Sequence, residues 1–263
     1  THLSFYQAKA QGADIRMVYS ALDALRLAQQ YPHKRVVFFA LGFETTMPAT
    51  ALTVQQAQRQ RVTNFLVYCH HILIIPALTA LLQDDDTAID GFIGPGHVSA
   101  VLGTAAYAFI ATEYHKPFVI AGFEPVDILQ ALYMVLQQLQ QKRAAVEVQY
   151  RRVVTQAGNR VAQAALADVF CIQPRSEWRG LGVLDQSGVG LQPRYAAHDA
   201  TLQFDGVNET VAAVELGRCS DVLKGKCKPQ HCELFGRQCT PQHPVGALMV
   251  SSEGACSACY QHA

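Results

Sequence analysis

Six of the eight cysteines lie in the last stretch of the chain: Cys219, Cys227, Cys232, Cys239, Cys256 and Cys259. A segment this short, rich in Gly, Pro, Lys and Gln, has too few apolar residues to hold itself by core burial, so a metal or a covalent cross-link must staple it. Thiolates are ligands for zinc and for iron-sulfur clusters. Zinc sites typically pair their ligands as two units with about two to four residues between the cysteines. Here only Cys256 and Cys259 form a Cys-x-x-Cys, and the rest are more widely spread. The irregular gaps suit a 4Fe-4S cluster, whose thiolates come from separate loops. Pro229, Pro241, Gly225 and Gly236 are placed to turn the backbone so that amide N–H groups face the sulfides. On spacing alone, zinc, a disulfide and unliganded thiols stay open.

Two further segments carry residues that bind or orient ligands. Gly94-Pro95-Gly96-His97-Val98-Ser99 closes an apolar run and opens a helical pattern. Such a turn lets backbone approach a ligand and sets His97 at a strand's carboxyl end. Gly42-Phe43-Glu44-Thr45-Thr46-Met47-Pro48 occupies a comparable place, and Glu44, Thr45 and Thr46 can orient a ligand or cap the helix that follows. His97 or Ser99 can equally be a cap. Neither segment is a phosphate-binding loop, because Gly-Lys-Ser/Thr and Gly-x-Gly-x-x-Gly are both missing. Cys69-His70-His71 reads as a buried thiol and two polar residues at a strand end rather than a metal triad, and Cys171 reads as a core cysteine. Lys142, Arg143, Arg151 and Arg152 read as a solvated basic face.

The elements that must position these residues follow from periodicity. Apolar runs predict strands at 15–19, 35–41, 64–68, 91–93 and 117–121. Amphipathic stretches predict helices at 22–30, 49–58, 75–82, 98–112, 126–141 and 159–169. Such alternation predicts an α/β body with largely parallel sheets over residues 1–170. Loops, a hairpin and the cysteine module then occupy 171–263. Phe38–Glu44 and Phe118–Glu124 echo each other, each an apolar strand closing on Gly-Phe-Glu, which hints at two similar units.

The 21 basic and 21 acidic residues cancel, so no global field favours nucleic acid or an anionic membrane. No apolar run reaches the roughly 20 residues of a membrane span. Thr1 begins inside what reads as a helix, without a signal peptide, which predicts a fragment of a cytoplasmic protein. In that compartment clustered thiols stay reduced.

Taken together, GFETTMP at 42–48, PGHVS at 95–99, AGFEP at 121–125, SEWRGLG at 176–182 and VSSEGAC at 250–256 resemble the HypD family of nickel-iron hydrogenase maturation proteins. The likeness covers essentially the whole chain in order. It implies two related α/β lobes plus a 4Fe-4S domain, and Cys219, Cys232, Cys239 and Cys256 match the cluster ligands by motif position. Cys227 is the first alternative, and Cys259 falls just past the motif. The resemblance also implies a complex with a HypC-type chaperone and a HypE-type cyanide donor, in which the Fe(CN)2CO group of the hydrogenase is assembled. Glu44, Thr45, Thr46 and His97 would then line the cleft that holds this iron, in a scaffold with a redox role rather than a turnover enzyme. The family's Cys-Gly-Gly-His-Thr-His and Gly-Pro-Gly-Cys-Pro-Val-Cys runs are absent from these residues. The iron-holding thiol and redox cysteine pair attributed to those runs are therefore absent from them too.

Overall fold

Each apolar run that ends on a glycine or a polar turn becomes a strand, and each amphipathic stretch after it folds back as a helix. The computed structural model describes residues 4–178, 180–204 and 217–262. The chain opens with α1 (Phe5–Ala10), α2 (Ala21–Gln30), β1 (Val36–Gly42), α3 (Met47–Arg59), β2 (Phe65–His71) and α4 (Ile74–Leu82). It continues with β3 (Phe92–Pro95), α5 (Gly96–Leu102), α6 (Ala108–Thr112), β4 (Phe118–Ala121), α7 (Pro125–Gln140), β5 (Val146–Val148) and α8 (Arg160–Val169). The hairpin β6 (Phe170–Trp178) and β7 (Gly182–Leu191) follows, then the short helices α9 (Cys219–Leu223), α10 (Ala247–Val250) and α11 (Ala255–His262).

The fold is α/β with mostly parallel sheets. β1 and β2 pair in parallel from Val36 with Phe65 to Gly42 with His71. β3, β4 and β5 form a second parallel sheet with β4 central. All four residues of β4 are buried, as a strand covered on both faces requires. Leu25, Met47, Val54, Phe65 and Val67 from the first unit form one core, and Phe170, Val189, Leu191 and Tyr195 complete it. The β6–β7 hairpin is thus built into the first core, and Leu73 N–H donates to Ser187 O at 2.8 Å where it docks. Tyr107, Ile110, Phe118 and Ile120, with Leu78 and Leu82, form a second core. Each such side chain stabilises by about 1.5–3 kcal/mol on burial.

Several expectations need correction. No strand forms at 15–19: Met17 and Tyr19 are exposed, and the segment pairs with no strand among the described residues. A strand without a ladder partner leaves its amides unsatisfied. The helix expected over 98–112 breaks at Gly103, whose φ is +83°. Its backbone packs against Gln156–Gly158 so closely that a Cβ would lie 2.3 Å from Gln156 O. Strand β5 carried no readable pattern, being three half-buried residues long. The basic stretch is exposed as expected, with Arg143 paired to Glu147 at 2.9 Å and Arg152 to Asp127 at 2.6 Å. No helix among the described residues is long and apolar enough to cross a membrane.

Candidate metal centre and the strand-end turns

The cysteine module packs a small core of its own, where Met249 is buried with Cys239 and Cys256 against Val222, Leu234, Phe235, Val245 and Leu248. Gly225 and Gly236 take positive φ and turn the chain between cysteines, as their type allows. A cavity of about 20 Å³ opens inside this core. Cys219, Cys232, Cys239 and Cys256 all line it, with Gly217, Arg218 and Gly246. Cys227 and Cys259 are not in that lining, and Cys259 Sγ instead accepts from Gln230 Nε2 at 2.7 Å. Burial, and then the neighbouring thiols of Cys219, Cys239, Cys232 and Cys259, push Cys256 up to about 11. Lys224 to Asp84 at 2.5 Å and Lys226 to Asp86 at 2.9 Å tie the module to the chain after α4.

Four thiols on apolar walls fit an iron-sulfur cluster in donor chemistry. The backbone fits too: Gly246 N–H donates to Cys239 Sγ at 3.4 Å, and a Cβ there would stand 2.4 Å from Cys219 Sγ. Among the described residues no three Cys, His, Asp or Glu side chains gather tightly enough to hold a single metal ion. A cube does not require that, since each of its four irons takes its own thiolate.

The strand ends hold the remaining candidates. Gly42 closes β1 with φ +118°. Thr46 Oγ1 donates back across this turn, 3.1 Å from Leu41 O and 3.2 Å from Phe43 O. Buried His71 lies beneath it, its Nδ1 3.3 Å from Gly42 O and its Nε2 3.3 Å from Thr50 Oγ1. A carbonyl only accepts, which assigns the proton to Nδ1. Burial pushes His71 down to about 4, so the ring is neutral. The turn sends Glu44 inward. Its Oε1 accepts Ile74 N–H at 3.0 Å, and its Oε2 is buried with no partner among the described residues. Desolvation raises its pKa, and its charge reaches Tyr107 in the second core. Thr45 and Thr46 stay exposed, and Thr46 is the residue before α3 without a side-chain bond to the helix N–H groups.

His97 sits on the other unit, exposed at the start of α5, with its ring 4.0 Å from that of Phe123. Among the described residues no hydrogen bond joins it to Glu44, Thr45 or Thr46. Ser99 is buried and donates to Pro95 O at 2.7 Å, with Tyr107 Oη 3.2 Å away. Cys69 and Cys171 donate to carbonyls of β7, at 3.2 Å to Val189 O and 3.4 Å to Leu191 O. His70 packs on Tyr68, so the 69–71 run forms no metal triad. Arg179 of the SEWRGLG run lies outside the described residues. Sequence reasoning missed Gly246, which precedes an apolar run and looks like any helix entry, and Trp178, whose Nε1 is buried without a partner among the described residues.

The class these features define is an α/β protein with mostly parallel sheets and a separate small module in which four cysteines line one cavity. Comparison with known proteins narrows that class. A family model described as HypD, hydrogenase formation hypA family, matches residues 1–263. The hydrogenase maturation factor HypD of Escherichia coli (strain K12) is 56% identical over 259 residues, covering 98% of this chain and 69% of that protein. HypD of Rhodobacter capsulatus is 55% identical over 264 residues, covering 99% and 70%. HypD of Cupriavidus necator is 47% identical over 266 residues, again covering 99% and 70%. The chain belongs to the HypD family.

Proposed function

We propose that this hydrogenase maturation factor is a scaffold for assembling the Fe(CN)2CO group of a nickel-iron hydrogenase, with a 4Fe-4S cluster held by Cys219, Cys232, Cys239 and Cys256. The observation that carries the reading is that these four thiols line one cavity while Cys227 and Cys259 do not. When bound, the cluster supplies electrons one at a time. The chain's own residues do the positioning: Thr46 and His71 hold the 42–46 turn, Glu44 presents a buried carboxyl, and His97 offers an exposed ring donor to a cyanide nitrogen. Thr45 and Thr46 add exposed hydroxyls at the 42–46 turn. A HypC-type chaperone and a HypE-type cyanide donor are the proposed partners, in the cytoplasm, and no turnover is ascribed to the chain itself.

Anaerobic purification with iron, sulfide and zinc analysis tests the cluster. About four irons and four sulfides per chain, with visible absorption bleached by dithionite, are expected. One zinc and no sulfide would establish the structural zinc module instead. His97→Ala is expected to lower hydrogenase activation in a maturation assay with the fold intact; full activation would remove its role.

A further inference from the structure

Gly246 touches two of the four candidate ligands, and its glycine identity has no conformational reason. Its φ of −96° and ψ of 153° are open to any residue. What excludes a side chain is sulfur: a Cβ would stand 2.4 Å from Cys219 Sγ and meet nothing else within 4 Å. The same residue's amide, buried, donates to Cys239 Sγ at 3.4 Å. Resting on the cluster reading above, we propose that Gly246 is a positioning residue for the cluster: its bare Cα admits the Cys219 thiolate, and its N–H hydrogen-bonds the Cys239 thiolate and raises the cluster's reduction potential. A thiolate that accepts a hydrogen bond carries less electron density toward iron, so the reduced cluster is stabilised.

Two other glycines of the module supply controls. Gly217 also lines the cavity, but a Cβ there would sit 3.8 Å from Cys232 Sγ, an ordinary contact. Gly254 would collide with Leu248 O at 2.3 Å and with no sulfur. The experiment compares Gly246→Ala, Gly217→Ala and Gly254→Ala in the full chain, purified anaerobically. Iron loss to a chelator and the cluster midpoint potential are the readouts. Gly217→Ala is expected to match wild type. Gly246→Ala is expected to lose iron about 10-fold faster or more and to shift its midpoint negative. Gly254→Ala is expected to lower stability without that shift. A Gly246→Ala midpoint equal to wild type, or the same shift in Gly254→Ala, overturns the proposal.

A second measurement needs no variant at Gly246. In Gly217→Ala protein labelled with 15N-glycine, pulsed paramagnetic resonance of the reduced cluster is expected to show a 15N coupling, and its absence overturns the hydrogen bond. Wild-type protein that takes up zinc without sulfide overturns the cluster reading and this inference with it. A loaded wild type with an unaffected Gly246→Ala overturns the inference alone.

Discussion

The tripeptide Gly-Phe-Glu closes β1 and β4 alike, and the two copies fold into opposite electrostatic environments. After β1, Glu44 turns inward, about 1% exposed, bonded to Ile74 N–H and, among the described residues, facing no cation. After β4, Glu124 is exposed, and the carboxyl that goes inside is Asp127, three residues on. Arg152 at 2.6 Å and Gln149 at 2.7 Å meet that one and hold it down to about 2. The phenylalanines differ too: Phe43 packs on Trp178, whereas Phe123 is exposed under His97. Identical residues after equivalent strands therefore carry different chemistry, and what separates them is the neighbour each turn reaches. An uncompensated buried carboxyl is a group poised to hold a proton, while a paired one is a fixed anion that anchors a helix.

The largest effect that can break this comparison is removal of the two glutamates. Glu44→Ala is expected to cost about 3 kcal/mol, because it empties buried space and leaves Ile74 N–H unpaired. Glu124→Ala is expected to stay within about 0.5 kcal/mol, as exposed positions do. Denaturant unfolding of both variants decides it. Equal losses would show that the copies are not distinguished by burial.

A smaller effect separates the glycines. Gly42 has φ +118°, and a Cβ there would lie 2.5 Å from Thr46 Oγ1. Gly122 has no positive φ; its limit is steric, with Asp127 Oδ2 at 2.1 Å and Tyr150 at 2.9 Å from a Cβ. Gly42→Ala is expected to cost about 2 kcal/mol. About 1 kcal/mol should persist when Thr46→Ala removes the collision, since the backbone strain remains. Full recovery in the double variant, measured by the same unfolding experiment, would make Gly42 as purely steric as Gly122.

Much of this contrast was legible in the residues, but not its sign. The recurrence of Gly-Phe-Glu and the helices after it follow from local pattern, and β1 to β4 form close to where apolar runs place them. Which carboxyl goes inside depends on Arg152 and Ile74, contributed from 25 and 30 residues away in sequence. No local period reports that. The strand expected at 15–19 failed for the same reason, because an alternating pattern states which side is apolar and not whether a ladder partner exists. In the cysteine module the gaps between cysteines left several candidate sets open, and folding places Cys219, Cys232, Cys239 and Cys256 around one cavity. The glycine between two of those sulfurs was invisible, because its backbone angles are ordinary and only a distant side chain gives it meaning.

The smallest effect is the most discriminating, because the two buried carboxyls should respond to pH with opposite sign. Glu44 binds its proton more tightly folded than unfolded, where about 4.3 is expected, so stability declines as pH rises from that value through the raised folded one. Glu44→Gln keeps the acceptor for Ile74 N–H and lacks the charge. Its melting temperature should therefore gain on wild type as pH goes from about 4 toward 7. Asp127 is held at about 2, below the roughly 3.9 of the unfolded chain. Its contribution is complete above that unfolded value and is lost as pH falls through about 2, so the deficit of Asp127→Asn should shrink on acidification. His71, pushed down to about 4 beside Gly42, titrates in wild type and both variants and cancels in the differences. Thermal melts across this range read both effects. Differences of the same sign would mean that Glu44 meets a compensating charge after all, and the contrast between the two turns would reduce to one of exposure.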